Sequence, residues 1–361
     1  MSEDIHENME QPTTPLLEHD CSAWKTSSQY MEDLYCLGVK LWRKSDLIDI
    51  ERQLSQFRTI EKFTIRCVDR SIIYIKNPMY KVQRPIWLPT VKFQEYWRLV
   101  NAKPDGPPET YRCSYLVDWE NRSARDSRGL MENSRSFLVK KMHEWCISTT
   151  HNSFQLLIRK LLHGHKVTKI ICFGLGDISL RAPEWWREQR GPNWQQVEAT
   201  VMESRIAQYS AVLTIATEII SSTGDGVRIL TQDPDYAEET KETLRELGFE
   251  VVGQFGAGGF AEVDDETIVF TAFASAPIRQ IIADIARPTL IIAVGDDKTF
   301  NVKNQPYGDP ESPRTKQMWQ DYESWDFPVE PAEAQSMVEM DRLKIYSRKT
   351  TRIVGTDVLF G

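Results

Sequence analysis

The stretch Lys169-Ile-Ile-Cys-Phe173-Gly174-Leu-Gly176-Asp177-Ile-Ser179 is a short apolar run that stops at a glycine-rich turn. Four more runs of the same texture follow it: Val227-Arg-Ile-Leu230, Glu250-Val-Val252, Thr267-Ile-Val-Phe270 and Thr289-Leu-Ile-Ile-Ala-Val294. Short β-branched runs with no polar alternation are what strands covered on both faces require. Between them lie helical patterns at Trp194 to Ser221, Tyr236 to Leu247 (stopped by Gly248) and Ile278 to Ala286 (opened by Pro277). Upstream, Met131 to Trp145 and Phe154 to Leu162 also follow helical spacing. The spacing therefore predicts an α/β fold, a doubly wound, mostly parallel Rossmann-like sheet, over roughly 126 to 335.

Outward from that core, residues 1 to 20 are polar and acidic and are expected to be disordered. Residues 21 to 125 read as an α+β extension: a helix from Asp46 to Phe57, then a hairpin from Phe63 to Ile75. Pro78, Pro85, Pro89, Pro104, Pro107 and Pro108 predict a loop-rich segment from 76 to 115. Residues 336 to 361 read as a tail. The chain has 361 residues, a formal charge of −8 and 41% apolar residues, enough for a sizeable core. No run approaches the ~18 apolar residues of a membrane span, so no membrane partner is expected and a cytoplasmic protein is. Six scattered cysteines without a CxxC pair read as reduced thiols, and no histidine spacing suggests a metal ligand set. No metal and no cofactor are expected.

In a parallel sheet, ligands sit beyond the carboxyl ends of the strands. The first tip carries Gly174-Leu-Gly176-Asp177-Ile-Ser179. It lacks the third glycine of a dinucleotide fingerprint, with Ser179 at the matching place, so a nicotinamide cofactor is not expected. Either the glycines merely turn the chain, or the turn presents Asp177 and Ser179 to a substrate as catalytic groups. The second tip offers Asp233 and Asp235; Asp264, Asp265, Asp296 and Asp297 are further acids near strand ends. Such carboxylates suit a guanidinium, which they bind by paired charge-assisted hydrogen bonds. The loop Glu184-Trp185-Trp186-Arg-Glu-Gln-Arg-Gly-Pro-Asn-Trp194 either caps a pocket with its tryptophans or packs them on the long helix. Charge is uneven: Val139 to Lys169 holds six basic residues and one acid, whereas Asp225 to Glu266 holds twelve acids and three basic residues. The basic stretch is either a solvated face or a phosphate-backbone patch.

The segments Ile171 to Ser179, Thr231-Gln-Asp-Pro-Asp-Tyr236, Gly248-Phe249, Glu311-Ser-Pro-Arg-Thr315, Met318, Tyr322 and Phe327-Pro328 carry a resemblance. Over about 130 to 330 the chain resembles the fungal sensitivity-to-red-light-reduced-like (SRR1-like) domain family. Many members look like regulatory proteins without an assigned reaction. One similar fungal group makes arginine-containing cyclic dipeptides from aminoacyl-tRNAs on a Rossmann-like core. That resemblance implies a tRNA-dependent cyclodipeptide synthase, with arginyl-tRNA and a second aminoacyl-tRNA as partners on a local basic face. It implies Ser179 or Asp177 near the reacting ester. Substrate binding would fall to Gly174, Gly176, Trp185, Asp233, Asp235, Asp264 and Asp265. The Asp-Asp-x-x-Glu motif of that group has only partial counterparts here, Asp264-Asp265-Glu266 and Asp296-Asp297. The alternative implication is a non-catalytic regulatory or scaffold protein.

Overall fold

The computed structural model describes residues 23–272, 274–295, 309–334, 337 and 339–349. The acidic amino terminus, Asp296, Asp297 and residues 350–361 lie outside them. Five parallel strands form where the apolar runs stand: β5 (Lys169–Phe173), β6 (Arg228–Gln232), β7 (Phe249–Val251), β8 (Thr267–Thr271) and β9 (Leu290–Val294). The strand order across the seven-stranded sheet begins β7-β6-β5-β8-β9. It then continues into two antiparallel strands, β11 (Leu343–Arg348) and β10 (Tyr322–Asp326). The molecule is thus a mixed α/β fold on a mostly parallel sheet.

Each central strand feeds two cores, because successive side chains leave opposite faces of a sheet. Ile171 and Phe173 of β5 join one apolar cluster; Ile170 and Cys172 join the other. The second face is covered by α5 (Ser134–Cys146), α6 (Thr149–Leu162), the 30-residue α8 (Trp194–Thr223) and α9 (Glu238–Glu246). The first face is covered by α10 (Gly258–Glu262), α11 (Ile278–Ile285) and α12 (Pro313–Trp319), and by the amino-terminal extension. That extension packs Met31 of α1 (Ala23–Cys36) and Leu47, Ile50 and Leu54 of α2 (Lys44–Ser55) into the same cluster as Ile171 and Ile291. Extension and sheet therefore share one core.

The predicted hairpin is present as β1 (Lys62–Arg66) paired antiparallel with β2 (Ile72–Lys76). Three expectations need correction. The segment read as loop contains β3 (Trp87–Phe93), paired with β4 (Tyr115–Asn121), and the short α3 (Tyr96–Val100). Pro89 sits inside β3, which a two-stranded ribbon tolerates because one side of the strand needs no ladder donor. The tryptophan loop is largely helical: α7 (Glu184–Arg190) runs through a single 3₁₀ turn into α8. Finally, part of the expected tail is β11, an inner strand between β9 and β10. The cysteines among the described residues are free, as expected, but Cys67 and Cys113 meet in the buried extension with their Sγ atoms 3.3 Å apart.

The extension is tied down by ionic contacts. Asp284 of α11, 3% exposed, accepts hydrogen bonds from the backbone N–H groups of Leu41 (2.7 Å) and Trp42 (3.1 Å) and pairs with Arg314. Arg314 also donates to the carbonyls of Tyr35 and Val39, with its guanidinium over the Tyr35 ring. On α2, Glu51 reaches the loop after β7. Its carboxylate accepts from the N–H groups of Phe255 (3.0 Å), Ala257 (2.9 Å) and Gly258 (3.1 Å).

Candidate functional site

A cleft of about 530 Å³ opens at the carboxyl ends of β5, β6 and β8, where the strand order reverses direction. Its floor is the turn after β5. Gly174 and Gly176 both take positive φ, 65° and 84°. A Cβ on Gly174 would stand 2.7 Å from Ala274 Cβ and 2.9 Å from Ala274 Cα, so the turn passes too close to the β8 tip for any side chain. Gly174→Ala is expected to cost about 1–3 kcal/mol through this strain. Chemical denaturation checks the loss, and a Gly226→Ala control has open space around the same atom and no positive φ.

Asp177 is 6% exposed and fully engaged. Its Oδ1 accepts from Ser179 N (2.7 Å), Leu180 N (2.6 Å) and Ser179 Oγ (3.1 Å), and its Oδ2 from Ala237 N (2.6 Å). Ser179 Oγ is shared with Thr240 Oγ1 at 2.7 Å, and Ser179 lies outside the cleft lining. These two residues build the turn: the Ser179 hydroxyl is buried and held between Asp177 and Thr240, while Asp177 itself reaches the cleft lining. The local signal was present in the sequence, since Asp-x-Ser is a turn-forming pattern in which the carboxylate takes the next backbone donors.

Asp233 follows β6 and lines the cleft, half-buried. Its Oδ2 accepts from Gly176 N and its Oδ1 from Asp235 N, both at 3.0 Å. Burial and then the neighbouring Asp235 charge push its carboxyl up to about 6, against the lowering pull of those N–H groups and of Arg205. Beneath it, Tyr209 donates to the Gly176 carbonyl (2.9 Å) and shares a hydrogen bond with Tyr236, which in turn meets Thr231. Both tyrosines are fully buried, and burial raises their hydroxyl pKa well above the usual value, so they act as neutral struts.

The cleft thus gathers Gly174, Gly176, Asp177, Asp233 and Asp235. Trp185 does not join them: it is 59% exposed, and its neighbour Trp186 lines the wall instead. Asp264 and Asp265 lie at the opposite edge of the sheet, because they precede β8, and a parallel strand begins at the edge away from its tip. There Asp264 pairs with Lys169 (2.8 Å) and Asp265 accepts from Arg287 N (2.7 Å). The charge asymmetry also cancels in space. Lys166 meets Glu266, Lys169 meets Asp264 and Glu262, Lys141 meets Glu144 and Glu203, Arg159 meets Glu218, and Lys160 stacks on Trp325.

Sequence reasoning missed the far wall. One face of α8 supplies Glu198, Val201, Met202, Arg205 and Gln208, at spacings of three or four residues. Arg128 and Arg181 add two more guanidinium groups, and the extension adds Val91 and Phe93. Among the described residues no group of His, Cys, Asp and Glu is arranged to hold a metal ion, and no helix is long and apolar enough to cross a membrane.

With this geometry in place, the comparisons with known proteins are brief. Residues 152–299 match the family model of the SRR1 domain. The match runs from α6 to just past β9 and supports the SRR1-like family for this part of the chain. It leaves the extension, and with it Arg128, outside. Of the matched residues, Gly174, Gly176, Asp233 and the α8 face build most of the cleft. No curated protein and no solved structure matches the chain.

Proposed function

We propose that the cleft is an acyl-transfer site for aminoacyl esters of RNA, and that the chain makes an arginine-containing cyclic dipeptide. Helices on both faces and the reversal of strand order between β5 and β8 support the finer reading of the core as a doubly wound Rossmann-like sheet, a fold suited to such a site. The observation that carries the reading is the pair Asp233 and Asp235 in the cleft lining at the tip of β6. Asp233 is held between the Gly176 and Asp235 N–H groups, where burial and the neighbouring charge push its carboxyl up to about 6. A carboxyl group at that value accepts a proton near neutral pH far better than an ordinary aspartate. It takes the proton from the α-ammonium of one aminoacyl group. The freed amine then attacks the ester carbon of the other and the C–O bond to ribose breaks. The departing ribose oxygen takes the second proton from the attacking nitrogen as the amide forms, and Asp233 releases the first to solvent. A second attack, by the remaining amine on the remaining ester, closes the six-membered ring and releases the second RNA. Asp235 offers a carboxylate to the arginine side chain. Because Lys141, Arg159, Lys166 and Lys169 of the basic stretch are ion-paired, RNA contact falls to the cleft arginines. The reaction would proceed in the cytoplasm, where charged tRNA is found.

Expression in a bacterial host and mass spectrometry of the medium test this. A new arginine-containing diketopiperazine is the expected result, and its absence from both medium and cells would sink the reading. A non-catalytic regulatory or scaffold protein is the second reading, favoured by the commitment of Asp177 and Ser179 to the turn. That reading expects no product and a stoichiometric protein partner in affinity purification.

A further inference from the structure

Three guanidinium groups line the cleft: Arg128, Arg181 and Arg205. All three are half-buried, and none forms an ion pair among the described residues, whereas the enclosed Arg279, Arg125 and Arg314 each face a carboxylate. Arg128 and Arg181 are brought side by side by backbone pairing: Arg181 N donates to Gly129 O (3.0 Å), and Leu130 bridges Leu180. Arg205 comes from the opposite wall and lies against the Gly176 turn, donating one N–H to the Asp177 carbonyl at 2.7 Å. Four of the five acids of the same cleft are satisfied by other donors: Glu198 takes Ala182 N, Glu339 takes Ser204 Oγ, Asp233 takes Gly176 N and Asp235 N, and Asp177 takes Ser179 N, Leu180 N and Ala237 N. Asp235 is exposed, and its carboxylate accepts no hydrogen bond among the described residues. A second observation is independent of charge. Gln208, one α8 turn deeper than Arg205, is 2% exposed, lines the cleft, and leaves its side-chain Oε1 without a hydrogen-bond partner. A buried polar atom left unpaired is destabilising, and a donor on a ligand would relieve it.

The geometry points to a phosphate-ester subsite: Arg128, Arg181 and Arg205 hold the phosphate of a nucleotide, and Gln208 takes a polar group of the same ligand. Guanidinium groups bind phosphate oxygens through forked hydrogen bonds, and three lining one cleft suit a phosphate, whether the monoester of a mononucleotide or the singly charged diesters of an RNA end. This deepens the acyl-transfer reading, since a charged RNA ends in a nucleotide, and it rests on the same cleft. Two sources share the chemistry, a free mononucleotide and an RNA 3′ end.

Isothermal titration of the full chain with AMP, adenosine and a short RNA ending in CCA separates them. AMP is expected to bind at least about ten-fold more tightly than adenosine, and Arg181→Ala and Arg205→Ala are each expected to weaken AMP about ten- to hundred-fold. If Arg205→Ala does not fold, Arg205→Lys, which keeps the charge but loses the fork, is expected to weaken AMP several-fold. Gln208→Leu should weaken the ligand while leaving Tm unchanged or higher, because it removes the unpaired oxygen. Tighter binding of the RNA than of AMP assigns the subsite to an RNA end; the reverse assigns it to a free nucleotide. Equal affinity for AMP and adenosine, or arginine variants that bind AMP like the parent, overturns the subsite. Because binding is read without turnover, AMP binding without a cyclic dipeptide removes only the acyl-transfer reading. A cyclic dipeptide without arginine-dependent AMP binding removes only the subsite.

Discussion

Asp284→Ala is expected to lower the stability of the chain by about 3–5 kcal/mol, the cost of stranding one partner of a buried ion pair. The substitution leaves the Arg314 guanidinium, whose side chain is 16% exposed, without its carboxylate, and strips the Leu41 and Trp42 N–H groups of their acceptor. For a chain of this size the loss reads as a fall in Tm of roughly 4–7 °C. Arg314→Ala should cost a similar amount, since it frees the Tyr35 and Val39 carbonyls and strands Asp284 instead. The informative comparison is the double variant. Residues that share one network are not additive, so the pair together should cost clearly less than the sum of the two. Strict additivity in urea titrations would show that the contacts are independent and that the α11–α12 clamp on the extension is not a unit.

Asp233→Asn is the second large effect. If Asp233 accepts the proton, removing its basicity should lower product formation by about 10²–10⁴-fold, the usual worth of a general base. Rate against pH in the parent should fall about ten-fold per unit below about 6, where the carboxyl becomes protonated. The same group has the opposite effect on stability. Its folded pKa is raised above the unfolded value near 3.9, so the folded state holds this proton more tightly. Its contribution favours folding below about pH 4 and is lost as pH rises toward about 6. Asp235, Glu120, Asp177, Arg205, Tyr209 and Tyr236 surround it, and none of the other carboxylates replaces its position between the Gly176 and Asp235 N–H groups. A pH–rate profile that is flat from 5 to 8, or an Asn variant of full activity, would exclude Asp233 from proton transfer.

The parallel strands were legible because Ile171, Val269 and Ile291 and their neighbours are apolar on both faces, and nothing but a doubly covered strand uses that pattern economically. β3 was hidden by Pro89, and β11 by its position after an irregular stretch, although Leu343, Ile345 and Ser347 alternate with Lys344 and Arg348. Asp233 could be found because it directly follows a strand. Arg128, Arg181 and Arg205 could not, because two loops and a helix bring them together only when the sheet forms. Asp264 and Asp265 misled for a related reason: nearness to a strand in sequence does not say which of its two ends is meant. Gln208 did leave a trace, a polar residue in register with Glu198 and Arg205 on an otherwise apolar helix face.

Glu51 has a consequence for recognition. Its carboxylate already occupies the N–H groups of Phe255, Ala257 and Gly258, the donors that the glycine-rich tip after β7 would otherwise turn toward an anion. An external acid reaching that edge competes with one tethered on the same chain, whose effective concentration is on the order of millimolar or above. The second glycine-rich tip is therefore silenced from within, and these three donors are closed to an external anion.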